Sequence, residues 1–220
     1  MIKKTAIIVA GGSGVRMGSK IPKQFLTVKN KPVLMHTIEK FYTYDPQINL
    51  IIVLPESQIA YWKDLVKKYQ FDISHQVVCG GQSRFHSVTN GLNAAEREGI
   101  IFIHDGVRPL VSHETIERCY QLANEKGAAI PVLPVYESLR RLTNDHNQAV
   151  DRNSYVNVQT PQVFKAEVIF DSYDTDFQDW FTDDASVVEA AGMQIHLATG
   201  NRENIKLTHP GDLQIAEVLL

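Results

Sequence analysis

TAIIVAGGSGVRMGSKIPKQFL, residues 5–26, is the stretch from which the rest of the chain is read. Thr5 to Ala10 is short, apolar and partly β-branched, the composition of a strand buried on both faces of a sheet. Gly11, Gly12 and Gly14 then allow a tight turn and a close approach of backbone to ligand. Arg16, Lys20 and Lys23 follow. A strand that feeds free N–H groups and fixed positive charge is a place to hold phosphates. The loop is not a P-loop, because no Gly-Lys-Ser/Thr closes it. Nor is it a dinucleotide fingerprint: Met17 stands where the third glycine belongs, and Pro22 disfavours helix just before it. It is a longer loop with its cations built in.

Outward from this loop, strands and helices alternate. The spacing predicts helices over 32–44, 57–69, 84–97 and 114–125, and strands over 49–54, 76–79, 100–104 and 128–135. Pro131 and Pro134 mark the last strand as irregular or near a sheet edge. The alternation predicts an α/β fold: one domain, a mostly parallel (mixed) sheet, and helices on both faces. In such sheets ligands sit at the carboxyl ends of strands. AGGSG, GGQSR and HDGVRP each follow a strand directly, and that coincidence outweighs any single motif.

The second half changes character. Residues 139–158 are polar and charged, with Asn144 to Asn147 as a turn, and read as a β-hairpin or protruding arm. An arm of that size buries little surface alone, so a homodimer is expected. A helix from Asp183, a strand over 193–198 and an amphipathic helix over 212–220 close the chain.

The 220 residues suffice for one large domain, and a second would be cramped. Lys and Arg number 22 against 25 Asp and Glu, for a net charge of −3. That balance argues against a general nucleic-acid or acidic-membrane binder, so any cationic site is local. No signal peptide is visible, no apolar stretch reaches membrane-span length, and Cys79 and Cys119 match no zinc or redox spacing. A cytoplasmic protein with reduced cysteines is expected.

If the bound anion is a nucleoside triphosphate and the second substrate a phosphate monoester, mutual repulsion is the main obstacle. Arg16, Lys23, Arg152 and Lys206 are the best candidates to offset it. Mg²⁺ would be held chiefly by the phosphates rather than by a protein cage. A phosphate dianion is already a nucleophile and needs no strong base, so catalysis reduces to positioning and charge stabilisation. Each candidate also has an ordinary reading. Lys206 could be a surface lysine and Arg152 the partner of a nearby carboxylate. Asp105 could cap a helix, and Ser83 or Ser87 could line a first turn. His104 reads as a packed strand-end histidine.

Taken in order, AGGSGVRMGSKIPKQFL, GGQSRFHSVTNGL, IHDGVRPLV, VDRNSYVNVQTPQVF, TDDASVVEAAG and NIKLTHPGDL make the chain resemble the 2-C-methyl-D-erythritol 4-phosphate cytidylyltransferases over essentially its whole length. The resemblance implies a nucleotidyltransferase fold, related to nucleotide-diphospho-sugar-binding domains, with a β-arm that builds a dimer. It implies that CTP and methylerythritol 4-phosphate give the CDP-alcohol and pyrophosphate, with Mg²⁺ as the divalent cation, in the non-mevalonate isoprenoid precursor pathway. By the same resemblance Arg16 and Lys23 stabilise the pentacoordinate phosphoryl centre. Arg152, reaching across the dimer, and Lys206 position the substrate phosphate. Ala10, Gly11, Gly12 and Ser87 correspond to the cytidine site, of which Gly14 forms part of the loop. Asp105, Arg108, Ser138, Thr160 and Thr182 correspond to the polyol-phosphate pocket or its rim, with Asp105 also facing the nucleotide. Two positions depart from the family pattern. Glu137-Ser138 replaces Asp-Thr, and Gln82 stands where an acid often follows the glycine pair, so a ribose hydroxyl would meet a neutral amide. The rival readings are a ribitol 5-phosphate cytidylyltransferase and a nucleotide-binding protein without catalysis.

Overall fold

A computed structural model describes residues 2–11 and 21–220. β1 (Lys4–Val9) shows why the chain layers as it does. Its side chains alternate between two cores on opposite faces of one sheet. Ala6 and Ile8 pack with Met35, Ile38 and Phe41 of α1 (Val33–Tyr44), Trp62 of α2 (Glu56–Lys68) and Ile116 of α4 (His113–Lys126). Ile7 packs with Val88 of α3 (Arg84–Asn93), Ile169 of α5 (Ala166–Ser172) and Val187 of α6 (Asp184–Ala190). A strand with apolar residues on both faces belongs inside a sheet covered on both sides, as expected.

β4 (Asn49–Leu54) and β6 (Ile100–Asp105) flank β1 in parallel, and β5 (Gln76–Cys79) continues in parallel beyond β4. β11 (Gln162–Lys165) runs antiparallel to β6 and joins it to β7 (Ala128–Pro134). β12 (His196–Thr199) pairs in parallel with residues 129–132 of β7. β10 (Val156–Val158) pairs antiparallel with residues 132–134. Because β12 overlaps both of the other registers, β10 and β11 share the opposite edge of β7. The sheet therefore has eight strands and is mixed, with β7 in its interior.

β7 thus lies next to the edge strand β12 and its opposite edge is interrupted, in keeping with the irregular, near-edge position expected for it, although it is paired on both sides. Pro131 stands opposite the break between β11 and β10, where its carbonyl accepts the Gln159 N–H at 2.8 Å. The N–H and C=O of one strand residue point to the same edge, so the donor that proline lacks also faces this break and no ladder bond is lost. α3 also ends earlier than predicted, at Asn93 rather than Arg97. Ala94 and Ala95 tighten into bonds three residues back, and Lys3 draws in Glu96 at 2.5 Å together with Glu98, which turns the chain toward β6.

A short hairpin, β2 (Thr27–Val28) and β3 (Lys31–Pro32), turns through Lys29 and Asn30 at φ +47° and +61°. It seats Val28 against Leu207 and against Ala216 of α7 (Pro210–Leu219). The predicted arm is present as a separate exposed hairpin, β8 (Arg140–Leu142) with β9 (Asn147–Ala149). It is shorter than expected, because residues 156–158 belong to the main sheet as β10. Cys79 is exposed and Cys119 buried, both as free thiols. Among the described residues no helix is long and apolar enough to cross a membrane.

Candidate active site

The carboxyl ends of β1, β4, β5 and β6 open on one cleft of about 310 Å³, lined by Val9 to Gly11, Pro55, Gly80 to Gln82 and Asp105. Lys23, Gln24, Ser83, Arg84, Ser87, Val107 and Lys206 complete the described part of its wall. Gly12, Gly14 and Arg16 lie outside the described residues.

Each wall residue is held by what flanks it. Lys23 begins a single 3₁₀ turn ending at Phe25. On one side Gln24, fully buried, donates to the Ala10 carbonyl at 2.7 Å and to Gln58 at 2.6 Å. On the other Phe25 packs against Tyr61 and Trp62. These anchors set Lys23 on the cleft wall. Lys206 is presented by strand-like alternation: Ile205 and Leu207 pack into the small third core, and the Leu207 N–H is bound to Val107. The residue between them therefore points the other way.

The turn after β5 closes by proximity. A Cβ on Gly81 would stand 2.4 Å from that of His86, so only glycine lets the turn lie this close to the start of α3. Ser83 caps that helix by accepting the His86 N–H, and Ser87 Oγ accepts the Gly81 N–H at 3.1 Å. Ser83 thus fills the ordinary capping role and Ser87 lines the first turn and ties it to Gly81, while both also line the cleft.

Asp105 is the electrostatic centre. Its Oδ2 accepts from Arg108 Nε at 3.0 Å and from Lys206 Nζ at 3.1 Å. Burial alone would raise its carboxyl. The charges of Lys206, Arg84 and Arg108, with the Arg108 hydrogen bond, outweigh this and hold it well below the usual carboxylate range. Asp105 thus ties the two cations to the strand end rather than capping a helix. Arg108 also donates to the Asn204 carbonyl at 2.8 Å, which fastens the stretch bearing Lys206.

Beneath Asp105, His104 is fully buried, and burial pushes its imidazole down to about 4. Its Nε2–H donates to the Arg108 carbonyl at 3.1 Å, so Nδ1 accepts the Thr160 hydroxyl proton at 3.0 Å. Thr160 Oγ1 in turn accepts the Asp105 N–H at 3.1 Å. Every polar atom of this relay is satisfied, and His104 is the packed strand-end histidine expected. Thr160 supports the site from below.

Among the described residues, five predicted ones do not line the cleft wall of their own chain: Arg108 and Thr160 stand behind Asp105, and three lie away from it. Ser138 and Thr182 are exposed. Arg152 is exposed on the arm, where its guanidinium donates to the Tyr136 carbonyl. Sequence reasoning passed over Arg84 and Asp184. They form a two-pronged pair, Nη1 to Oδ1 at 2.7 Å and Nη2 to Oδ2 at 2.5 Å, a hundred residues apart in sequence. The signal was present in the adjacent GGQSR and TDD motifs, but nothing in either indicates the other.

With this geometry in view, comparison with known proteins decides the family. The sequence model of the 2-C-methyl-D-erythritol 4-phosphate cytidylyltransferases matches residues 4–220. The chain belongs to this family. A family member from Phocaeicola vulgatus is 55% identical over 219 residues, covering 100% of both chains. One from Bacteroides thetaiotaomicron is 53% identical over the same length, again covering 100% of both. The crystal structure of 4-diphosphocytidyl-2C-methyl-D-erythritol synthase from Anaerococcus prevotii superposes with a TM-score of 0.82 at 26% identity, covering 99% of this chain and 97% of that one. The family enzyme from Thermus thermophilus gives 0.79 at 28% identity, covering 100% and 98%. The nucleotidyltransferase fold read from the sequence is therefore the observed one. The comparisons favour neither the ribitol 5-phosphate reading nor the non-catalytic one.

Proposed function

We propose that this cleft transfers the cytidylyl group of CTP to 2-C-methyl-D-erythritol 4-phosphate. A phosphate oxygen of the alcohol attacks the α-phosphorus in line. The new P–O bond forms as the bond to the β-phosphate breaks, and pyrophosphate leaves with the electron pair. The observation that carries this reading is the convergence of Lys23, Lys206 and Asp105 on strand ends beside the Gly80–Gly81 turn. It supports a site in which cations offset the repulsion of two anions while the glycine turn and Ser87 face the nucleoside.

In this scheme Lys23, with Arg16 beside it in sequence, stabilises charge on the transferred phosphoryl group. Lys206, held on Asp105, orients the alcohol phosphate. Ala10, Gly11, Gly12 and Gly14 face the nucleotide, and Gln82 meets a ribose hydroxyl. Mg²⁺ would be held chiefly by the triphosphate. Among the described residues no cluster of three or more His, Cys, Asp or Glu side chains is placed to hold a metal, and the cleft wall is richer in cations than in carboxylates. That donor set suits an ion carried by phosphates, with Asp105 the described carboxylate on the wall. When bound it supplies charge neutralisation.

Arg152 enters through a homodimer, in which Arg152 of the partner subunit completes the alcohol-phosphate site with Ser138 and Thr182 at its rim. Exposed Leu142 on the arm, with exposed Tyr136 and Val156 at its base, supports such burial. The free thiols are consistent with a cytoplasmic setting. Incubation with each of the four triphosphates, Mg²⁺ and either methylerythritol 4-phosphate or ribitol 5-phosphate tests the reading by pyrophosphate release. CTP with methylerythritol 4-phosphate is expected to dominate. Comparable turnover of ribitol 5-phosphate, or none with either alcohol, overturns it.

A further inference from the structure

We propose that the Arg84–Asp184 pair is a positioning element of the transfer, holding the nucleotide-facing turn 80–83 in register with the segment that carries Thr182. Arg84 opens α3 directly after that turn, and both line the cleft. Asp184 opens α6, two residues after Thr182, and is completely buried. Its carboxylate accepts both guanidinium prongs and also the Tyr173 hydroxyl at 2.7 Å.

The post to which Arg84 is tied is itself braced. Gln162 of β11 donates to Asp183 at 2.7 Å and accepts the Ala185 N–H at 2.8 Å, which fixes the start of α6 to the main sheet. A planar fork on a fixed carboxylate sets direction as well as distance, which a lysine ammonium does not. The pair is not needed merely to attach α3. Ser83 caps that helix, and Phe85 stacks on Tyr173 with centroids 4.8 Å apart. Buried ion pairs contribute little net stability once desolvation is counted, so what remains for this one is placement. Arg84 also contributes to the positive field that keeps Asp105 ionised, which links the pair to the cation that Asp105 holds.

The inference rests on the cytidylyltransferase reading, so the test uses wild-type turnover as its reference. Arg84→Lys keeps the charge and loses the fork. Tyr173→Phe removes one bond from the same carboxylate while leaving the fork whole. Both are assayed well below their melting temperatures. KM for CTP is expected to rise about tenfold in Arg84→Lys while kcat changes about threefold or less. In Tyr173→Phe the melting temperature falls, but KM for CTP stays within about twofold of wild type. Should Arg84→Lys be recovered unfolded, Asp184→Asn is measured in its place with the same rise expected. A folded Arg84→Lys or Asp184→Asn with lowered melting temperature and unchanged KM, or an equal rise in Tyr173→Phe, overturns the positioning role. A wild-type protein without turnover would instead overturn the functional reading.

Discussion

Replacing Asp105 by Asn removes the carboxylate on which two cations converge. Arg108 is 13% exposed and keeps its bond to the Asn204 carbonyl, whereas the Lys206 side chain is 41% exposed and can return to water. The Lys206 contact therefore contributes at most about 1 kcal/mol, as exposed pairs do. The Arg108 hydrogen bond to a charged, nearly buried group contributes about 1.5–3 kcal/mol. The variant should lose about 2–3 kcal/mol at pH 7, a fall in melting temperature of about 5–10 °C for a domain of this size.

The pH dependence carries a definite sign. The folded carboxyl is depressed relative to the unfolded one, so below about pH 4 the unfolded chain binds the extra proton. The contribution of Asp105 is therefore complete above that pH and fades as acid approaches the folded value. Urea unfolding of both proteins at pH 7, 5 and 3.5 is the assay. The gap between them should be constant from pH 7 to 5 and begin to close at 3.5. A gap that widens in acid, or one absent at pH 7, would refute the assignment of Asp105 as the ionised anchor.

Three further outcomes are expected. Lys23→Ala should fold normally, because Gln24 and Phe25 hold the turn, yet lose about 10²–10³ in kcat as a missing phosphoryl-stabilising group would. Near-normal single-turnover rates would remove it from the mechanism. Thr160→Val leaves both His104 Nδ1 and the Asp105 N–H unpaired in the interior, a cost of about 2–4 kcal/mol readable in chemical denaturation. Gly81→Ala drives a Cβ into His86, so KM for CTP should rise while α3 stays helical by circular dichroism.

Much of this molecule was legible in its residues. The buried strand 49–54 and the half-exposed strand 76–79 lie at their expected boundaries, because a short apolar run between turn residues has little else to become. The strand-end motifs did converge on one cleft. What was missed shares a cause. Pro131 reads locally as a signal of irregularity or a nearby edge, and only the strand break opposite it shows how β7 is still paired on both sides. Val156 to Val158 looks like part of the arm until β7 pairs with it. α3 stops early where Ala94 and Ala95 bond three residues back, beyond which Lys3, distant in sequence, meets Glu96 and Glu98.

The sequence by itself determined the alternating β and α order, the two-faced sheet and the cation-bearing strand ends, since these follow from periodicity and composition over a few neighbouring residues. The tertiary structure alone decided which distant groups touch. Asp105 meeting Lys206, Arg84 meeting Asp184, and Thr160 meeting a His104 kept neutral by burial all depend on chain closure across roughly fifty to a hundred residues. Electrostatic and hydrogen-bond energies depend on distance and surroundings, and a linear order of residues specifies neither until the core has packed.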